Sequence, residues 1–144
     1  MPVIHASCVR FKNKGLLICG QSGQGKSDLC LRLMEQGAEL IADDQTKLEC
    51  IDNELIASCP ENLQGLLEVR GIGIITTPFL PATKIHLKLS LQSKEKIDRM
   101  PESVNENIEG VQIPVLALNA FECSAILKIK TYMEILNGQR KVIE

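Results

Sequence analysis

Between positions 20 and 27 the chain reads Gly20-Gln21-Ser22-Gly23-Gln24-Gly25-Lys26-Ser27: a glycine, four unrestricted positions, then Gly-Lys-Ser. No other stretch restricts the possible folds so tightly. The glycines let the backbone curl until successive N–H groups point into one concavity, a shape that takes an anion. Lys26 adds a positive charge for terminal phosphates, and the Ser27 hydroxyl is a ligand type for Mg²⁺. This is the pattern of a P-loop, and a P-loop needs a strand before it and a helix after it. Gly15-Leu16-Leu17-Ile18-Cys19 reads as a short buried strand, and residues 27–36 as a helix with Leu29, Cys30, Leu33 and Met34 on its apolar side. Gly37 is a natural helix stop. A glycine-rich turn without a ligand is the bland alternative, and the flanking strand and helix argue against it. All the residues from Gly20 to Ser27 are therefore candidates for binding nucleotide phosphates.

A chain of 144 residues fits one domain and is long enough to bury a core of its own. Its 16 basic and 18 acidic residues are mixed along the sequence, so no basic stripe offers itself to nucleic acid. No apolar run is long enough to span a bilayer, and the N-terminus lacks a signal-peptide pattern, so a cytoplasmic protein without a membrane partner is expected. Cys8, Cys19, Cys30, Cys50, Cys59 and Cys123 are scattered without a Cys-x-x-Cys pair. In apolar runs such cysteines behave as small hydrophobes, and neither a disulfide framework nor a zinc site is expected.

The remaining elements are mostly strands. Residues 3–11 alternate like a strand, followed by a turn at 13–15. Residues 38–42 form a short apolar strand ending at Asp43-Asp44, and residues 46–51 and 54–58 flank Asp52-Asn53 as a hairpin. Residues 60–67 have room for one short helix. Residues 84–91 alternate through Ile85, Leu87, Leu89 and Leu91, a clear strand pattern. The polar stretch 93–109 reads as a mobile loop. Residues 113–118 form another strand, and Asn119 with Glu122 resembles a variant capping box opening a helix that runs to Leu136 and stops at Gly138.

Three places outside the P-loop could carry chemistry. Asp43-Asp44 ends the strand after the P-loop helix, where one acid could serve Mg²⁺ and the other could take a proton from an incoming hydroxyl. A solvated turn explains the same pair equally well. Glu68 and Arg70 flank Val69 and would face the same way on an extended chain, one toward metal and the other toward phosphate; a surface ion pair is the competing reading. His5 and His86 lie in strand-like runs, where a lone histidine is more often structural.

Taken together, His5, the P-loop, Ala42-Asp43-Asp44 and Glu68-Val69-Arg70-Gly71-Ile72-Gly73-Ile74 occur in an order that closely resembles the catalytic domain of the HPr kinase/phosphorylase family. The resemblance covers roughly residues 4–91. It implies an α/β fold related to phosphoenolpyruvate carboxykinase: a β-rich P-loop kinase domain with helices after the P-loop and at the C-terminus. It also implies an ATP- and Mg²⁺-dependent protein serine kinase acting on HPr, the small phosphocarrier of the sugar phosphotransferase system, with phosphorolysis as the reverse reaction. In that scheme Lys26 and the loop amides hold phosphates, and Ser27 and Glu68 bind Mg²⁺, beside Asp43. Asp44 is the base, His5 sits against the transferring phosphoryl group, and Arg70 lies in the stretch used in both directions.

Two departures from the long family members stand out. Those proteins carry an additional N-terminal domain, and this chain, starting almost at His5, is expected to be the short single-domain form known from alphaproteobacteria. Long members also place an arginine in Pro-Gly-Arg-Asn after Ile-Pro-Val, whereas here Ile113-Pro114-Val115 is followed by Leu116-Ala117-Leu118-Asn119. A nucleotide-binding regulator with little transfer, or a same-fold kinase with another hydroxyl acceptor, are the rival expectations. The resemblance alone implies a homo-oligomer, hexameric in the long forms.

Overall fold

The computed structural model describes residues 2–143. Its strands are β1 (Val3–Ile4), β2 (Ala6–Phe11), β3 (Lys14–Cys19), β4 (Glu39–Ala42), β5 (Thr46–Ile51), β6 (Glu54–Ser58), β7 (Leu66–Val69), β8 (Gly73–Thr76), β9 (Ala82–Leu91), β10 (Val104–Ile108) and β11 (Val111–Leu118). Two α-helices accompany them: α1 (Lys26–Glu35) and α2 (Ala125–Leu136). The result is an α/β fold, rich in strands, with one helix after the P-loop and one near the C-terminus.

Nine strands form one sheet in the order β1-β5-β6-β9-β3-β2-β4, with β11 on β9 and β10 on β11. The long strand β9 is the junction. Its first residues pair antiparallel with β6, and its remainder runs parallel to both β3 and β11. Alternation explains why it can do this. Ile85, Leu87, Leu89 and Leu91 all point inward and are buried, while intervening residues are partly exposed or engage neighbours. Separately, β7 and β8 form an antiparallel hairpin of their own.

The core has two halves, one on each face of the central strands. Leu16 and Ile18 of β3 join Val9, Phe11, Leu29 and Leu33 beneath the helices. Leu17 points the other way, to Cys8, Ile41, Leu48 and Leu55. A one-residue slip in β3 would exchange these faces, so its register is firmly specified.

The topology gathers loops at one sheet edge. Strand β2 is antiparallel to both β3 and β4, so β3 and β4 point the same way. Strands β9 and β11 are parallel to β3. Their carboxyl ends therefore share an edge with the start of β2: the P-loop follows β3, Asp43-Asp44 follow β4, residues 119–121 follow β11, and His5 precedes β2. Crevices at the carboxyl ends of strands are the usual ligand sites of open α/β sheets.

Several expectations need correction. Residues 3–11 are two strands broken at His5, not one. The short helix expected in residues 60–67 is present as a 3₁₀ turn, Glu61–Leu63, but β7 already begins within that range, at Leu66. The stretch 93–109 contains β10, which shows no alternation because its three central residues, Asn105, Glu106 and Asn107, are all polar and exposed. Backbone pairing to β11 and a turn at Glu109-Gly110, both at positive φ, hold it in place. Asn119 does not cap α2, which begins at Ala125. Its side chain instead accepts a hydrogen bond from the Phe121 N–H at 3.1 Å, an Asx turn that competes with helix initiation.

Candidate active site

The P-loop leaves β3 at Cys19 and enters α1 at Lys26. Gly23 and Gly25 both take left-handed backbone angles, φ 87° and 91°, which bend the chain around a cavity of about 400 Å³. The free N–H groups of the first turn of α1 face that cavity, with the positive end of the helix dipole behind them. Such a helix start is a ready anion site. Lys26 Nζ lies 2.9 Å from the Gly20 carbonyl oxygen, so the cation is folded over its own loop. Gly20 is there for close packing: a Cβ at this position would stand 2.9 Å from the Leu91 Cβ.

The two adjacent acids have different surroundings. Asp43 Oδ1 accepts from the Ser27 hydroxyl at 2.6 Å and from the Ser7 hydroxyl at 3.1 Å, and Oδ2 accepts from the Glu68 backbone N–H at 3.1 Å. Ser7 Oγ in turn accepts from the Asp44 N–H at 3.0 Å, so its proton is directed at Asp43. Asp43 thereby ties β2, α1 and β7 together. Asp44 is exposed, takes φ 66°, and lines the cavity. A left-handed backbone at a non-glycine residue is a strained conformation that surrounding contacts must hold; here the Ala6 N–H donates to the Asp44 carbonyl at 3.1 Å.

Across the cavity stand Glu68 and Arg70, at the end and just beyond the end of β7. Buried Leu67 anchors that strand in the core, which turns Glu68 outward. Of the residues singled out from sequence, Ser22, Gly23, Gly25, Lys26, Ser27, Asp44, Glu68 and Arg70 meet around this one space. Gly20, Gln21, Gln24 and Asp43 are not part of its lining, though Asp43 is bonded to Ser27, which is. His5 is exposed at the break between β1 and β2 and is not part of the cavity lining.

Among the described residues, no three His, Cys, Asp or Glu side chains come together at metal-ligand spacing. Ser27 and Asp43 nonetheless present two oxygens side by side. Mg²⁺ is commonly held by one or two protein oxygens with phosphate and water completing its shell. This donor set therefore suits Mg²⁺ arriving with a nucleotide, not a metal held by protein alone.

The sequence match agrees with this geometry. The family model of the HPr serine kinase C-terminal domain matches residues 2–131. The chain belongs to that family. HPr kinase/phosphorylase of Limosilactobacillus reuteri (strain DSM 20016) is 33% identical over 127 residues, which cover 80% of this chain and 40% of that protein. The Geobacillus thermodenitrificans protein of the same name is 35% identical over 127 residues, 80% of this chain and 41% of the relative. That of Clostridium tetani is 44% identical over 77 residues, 54% of this chain and 25% of the relative. The chain thus spans less than half the length of these curated relatives. Among solved structures, the Hpr(Ser) kinase/phosphatase from Coxiella burnetii matches with a TM-score of 0.85 and 27% identity, covering 97% of this chain and 100% of that one.

Within this domain, sequence reasoning overlooked Ser7, Asp28, Leu31 and Phe121. Ser7 is fully buried, and a hydroxyl between apolar Ala6 and Cys8 was its only visible signal. Phe121 lies on the cavity wall and is 62% exposed. The cysteines contribute no nucleophile from the core. Burial first, and then the negative Asp43, push the Cys30 thiol far up, and the same two causes in the same order raise Cys59. Burial likewise raises Cys8 and Cys19.

Proposed function

We propose that this chain is an ATP- and Mg²⁺-dependent serine kinase that phosphorylates HPr and returns the phosphoryl group to inorganic phosphate in reverse. The observation that carries this reading is the division of labour at the cavity. Asp43 is engaged with Ser27, Ser7 and Glu68, while exposed Asp44 lines the same cavity as Lys26 without such engagement of its side chain among the described residues.

The roles follow from charge and position. Lys26 and the amides of the loop would hold the β- and γ-phosphates; Ser27, Asp43 and Glu68 would hold Mg²⁺, which would supply charge neutralisation on those phosphates. Asp44 takes the proton of the acceptor serine as its oxygen attacks, and gives it back in the reverse direction. Arg70 balances charge on the transferring group, and His5 flanks it. Phosphoryl transfer requires mainly positioning and charge stabilisation, so a small set of residues suffices. The relatives described above are named as HPr kinase/phosphorylases and an Hpr(Ser) kinase/phosphatase, and this supports HPr as the acceptor here. A cytoplasmic setting and a homo-oligomer belong to the same reading. No helix among the described residues is long and apolar enough to cross a membrane.

One observation favours a second reading, nucleotide binding with little transfer: the segment from Val115 to Phe121 contains no cation. Both readings meet the same test. The purified chain is incubated with Mg²⁺, γ-labelled ATP and HPr, beside HPr whose acceptor serine is alanine. Label on the first alone is expected, and inorganic phosphate should remove it. Tight ATP binding with no label on either overturns the kinase in favour of the regulator.

A further inference from the structure

Phe121 is one of few aromatic residues here: the chain has three Phe, one Tyr and no Trp. Phe11 lies in the core, yet Phe121 keeps 62% of its surface exposed. It is not loose. The Asx turn at Asn119 fixes its backbone, buried Ala120 precedes it, and the Ala120 carbonyl accepts a hydrogen bond from the Arg32 guanidinium of α1. The ring rests against the P-loop: a Cβ on Gly25 would lie 3.1 Å from its Cε1. A large apolar ring, fixed in place and open to solvent beside a phosphate cradle, is a surface prepared for a ligand.

The cavity supplies the rest. Its polar end is Lys26 and Ser27 at the start of α1, and Leu31 lines it further along that helix. Lys26 and Leu31 are separated by roughly 7.5 Å of helix rise. Asp28, on the same wall, is tied to Arg32 Nε at 3.0 Å. An elongated ligand anionic at one end and flat and apolar at the other matches this lining.

We propose that Phe121 is the platform on which the base of the nucleotide stacks, with Leu31 as the adjoining apolar wall. The proposal rests on the nucleotide-binding reading above and deepens it. Arg32 and Asn119 are positioning residues that hold the ring over the cavity.

Affinities for Mg–ATP and for Mg–tripolyphosphate, which has no base, are measured by calorimetry on the wild-type chain and on Phe121→Ala, Phe121→Leu, Phe121→Trp and Lys26→Ala. Ring removal in Phe121→Ala should weaken ATP about tenfold, the size of a lost base–aromatic stack, and leave tripolyphosphate unchanged. Phe121→Leu, which retains apolar bulk against Gly25, should still lose most of that affinity, and Phe121→Trp should restore it. A parallel loss of ATP and tripolyphosphate in Phe121→Ala overturns the platform and makes the ring a prop for Gly25. Unchanged ATP affinity, or full affinity in Phe121→Leu, also overturns it. Lys26→Ala separates the two layers of the argument: weakened binding of both ligands upholds the cradle whatever Phe121 does. Undiminished binding there, or a wild-type chain that binds neither ligand, overturns the cradle and the platform together.

Discussion

The Ser27 hydroxyl donates a 2.6 Å hydrogen bond to Asp43 Oδ1, joining the first turn of α1 to the end of β4. The same carboxylate receives Ser7 and the Glu68 amide, so a single side chain fixes the P-loop relative to both neighbouring elements. Asp43→Asn keeps the shape but cannot accept from all three donors. Transfer should fall by about 10²-fold or more at saturating ATP, and stability should drop by about 1–3 kcal/mol through the unsatisfied partners. Steady-state kinetics beside urea unfolding check both. Wild-type activity in this variant would remove Asp43 from the site.

Asp44 should behave differently. On the proposed reading Asp44→Asn removes the base and spares the cradle, so it should leave ATP affinity within a few-fold of wild type and reduce transfer by about 10²- to 10⁴-fold. Calorimetry and single-turnover kinetics separate the two effects. Lost ATP binding with an unchanged rate at saturating nucleotide would make Asp44 a positioning group.

Lys26→Ala is expected to abolish measurable transfer without unfolding the chain. In the wild type the ammonium bonds only to carbonyls of its own loop, Gly20 at 2.9 Å and Gln21 at 3.4 Å, and those contacts are partly solvated. A thermal melt within a few degrees of wild type, alongside the lost activity, would place the effect in phosphate binding. Normal activity would take the P-loop out of the mechanism.

Much of this site was legible in one dimension because a P-loop is contiguous: its glycines, lysine and serine follow one another, and the flanking strand and helix announce themselves by burial pattern. Asp43, Asp44, Glu68 and Arg70 were also visible, though only as a family pattern, since their spacing alone suits a turn or an ion pair. Ser7 and Phe121 could not be found this way. Phe121 reaches the cavity wall, and Ser7 reaches Asp43, through a turn or strand pairing that brings distant residues together, and neither residue type stands out locally. Strand β10 escaped for a related reason: its register is set by β11, and the exposed polar run Asn105-Glu106-Asn107 at its centre carries no alternation.

Gly15 offers a stability test remote from chemistry. A Cβ there would fall 2.0 Å from the Lys84 carbonyl oxygen, which is backbone and cannot swing away. Gly15→Ala must therefore push β3 from β9 and should destabilise the fold by about 1–3 kcal/mol or more. Denaturant unfolding measures this directly, and a stability equal to wild type would show that the strands part at little cost.

The Gly15 N–H donates to His86 Nδ1 at 3.1 Å, which requires an unprotonated nitrogen. Burial first, then Lys14 and Lys84, lower the pKa of His86 below its ordinary value. Between that lowered value and about 6.5 the unfolded chain binds more protons than the folded one, so stability rises with pH. The contribution is complete above about pH 6.5 and is lost as pH falls through the folded value. His86→Asn, which keeps an acceptor but does not titrate, should flatten the melting temperature between pH 5 and 7. Identical pH profiles for the two proteins would exclude His86 as the source.

The P-loop is local in sequence, but its frame is not. Gly20 packs on Leu91, Gly25 on Phe121, and the strand that delivers the loop runs parallel to one that begins at Ala82. Parallel pairing of this kind must close a long stretch of chain before it is rewarded, which makes it slow to form. Nucleotide affinity should accordingly be among the last properties to appear during refolding, well after collapse and after the β5–β6 hairpin. ATP cannot serve this protein as an early folding template; it can only trap the finished molecule.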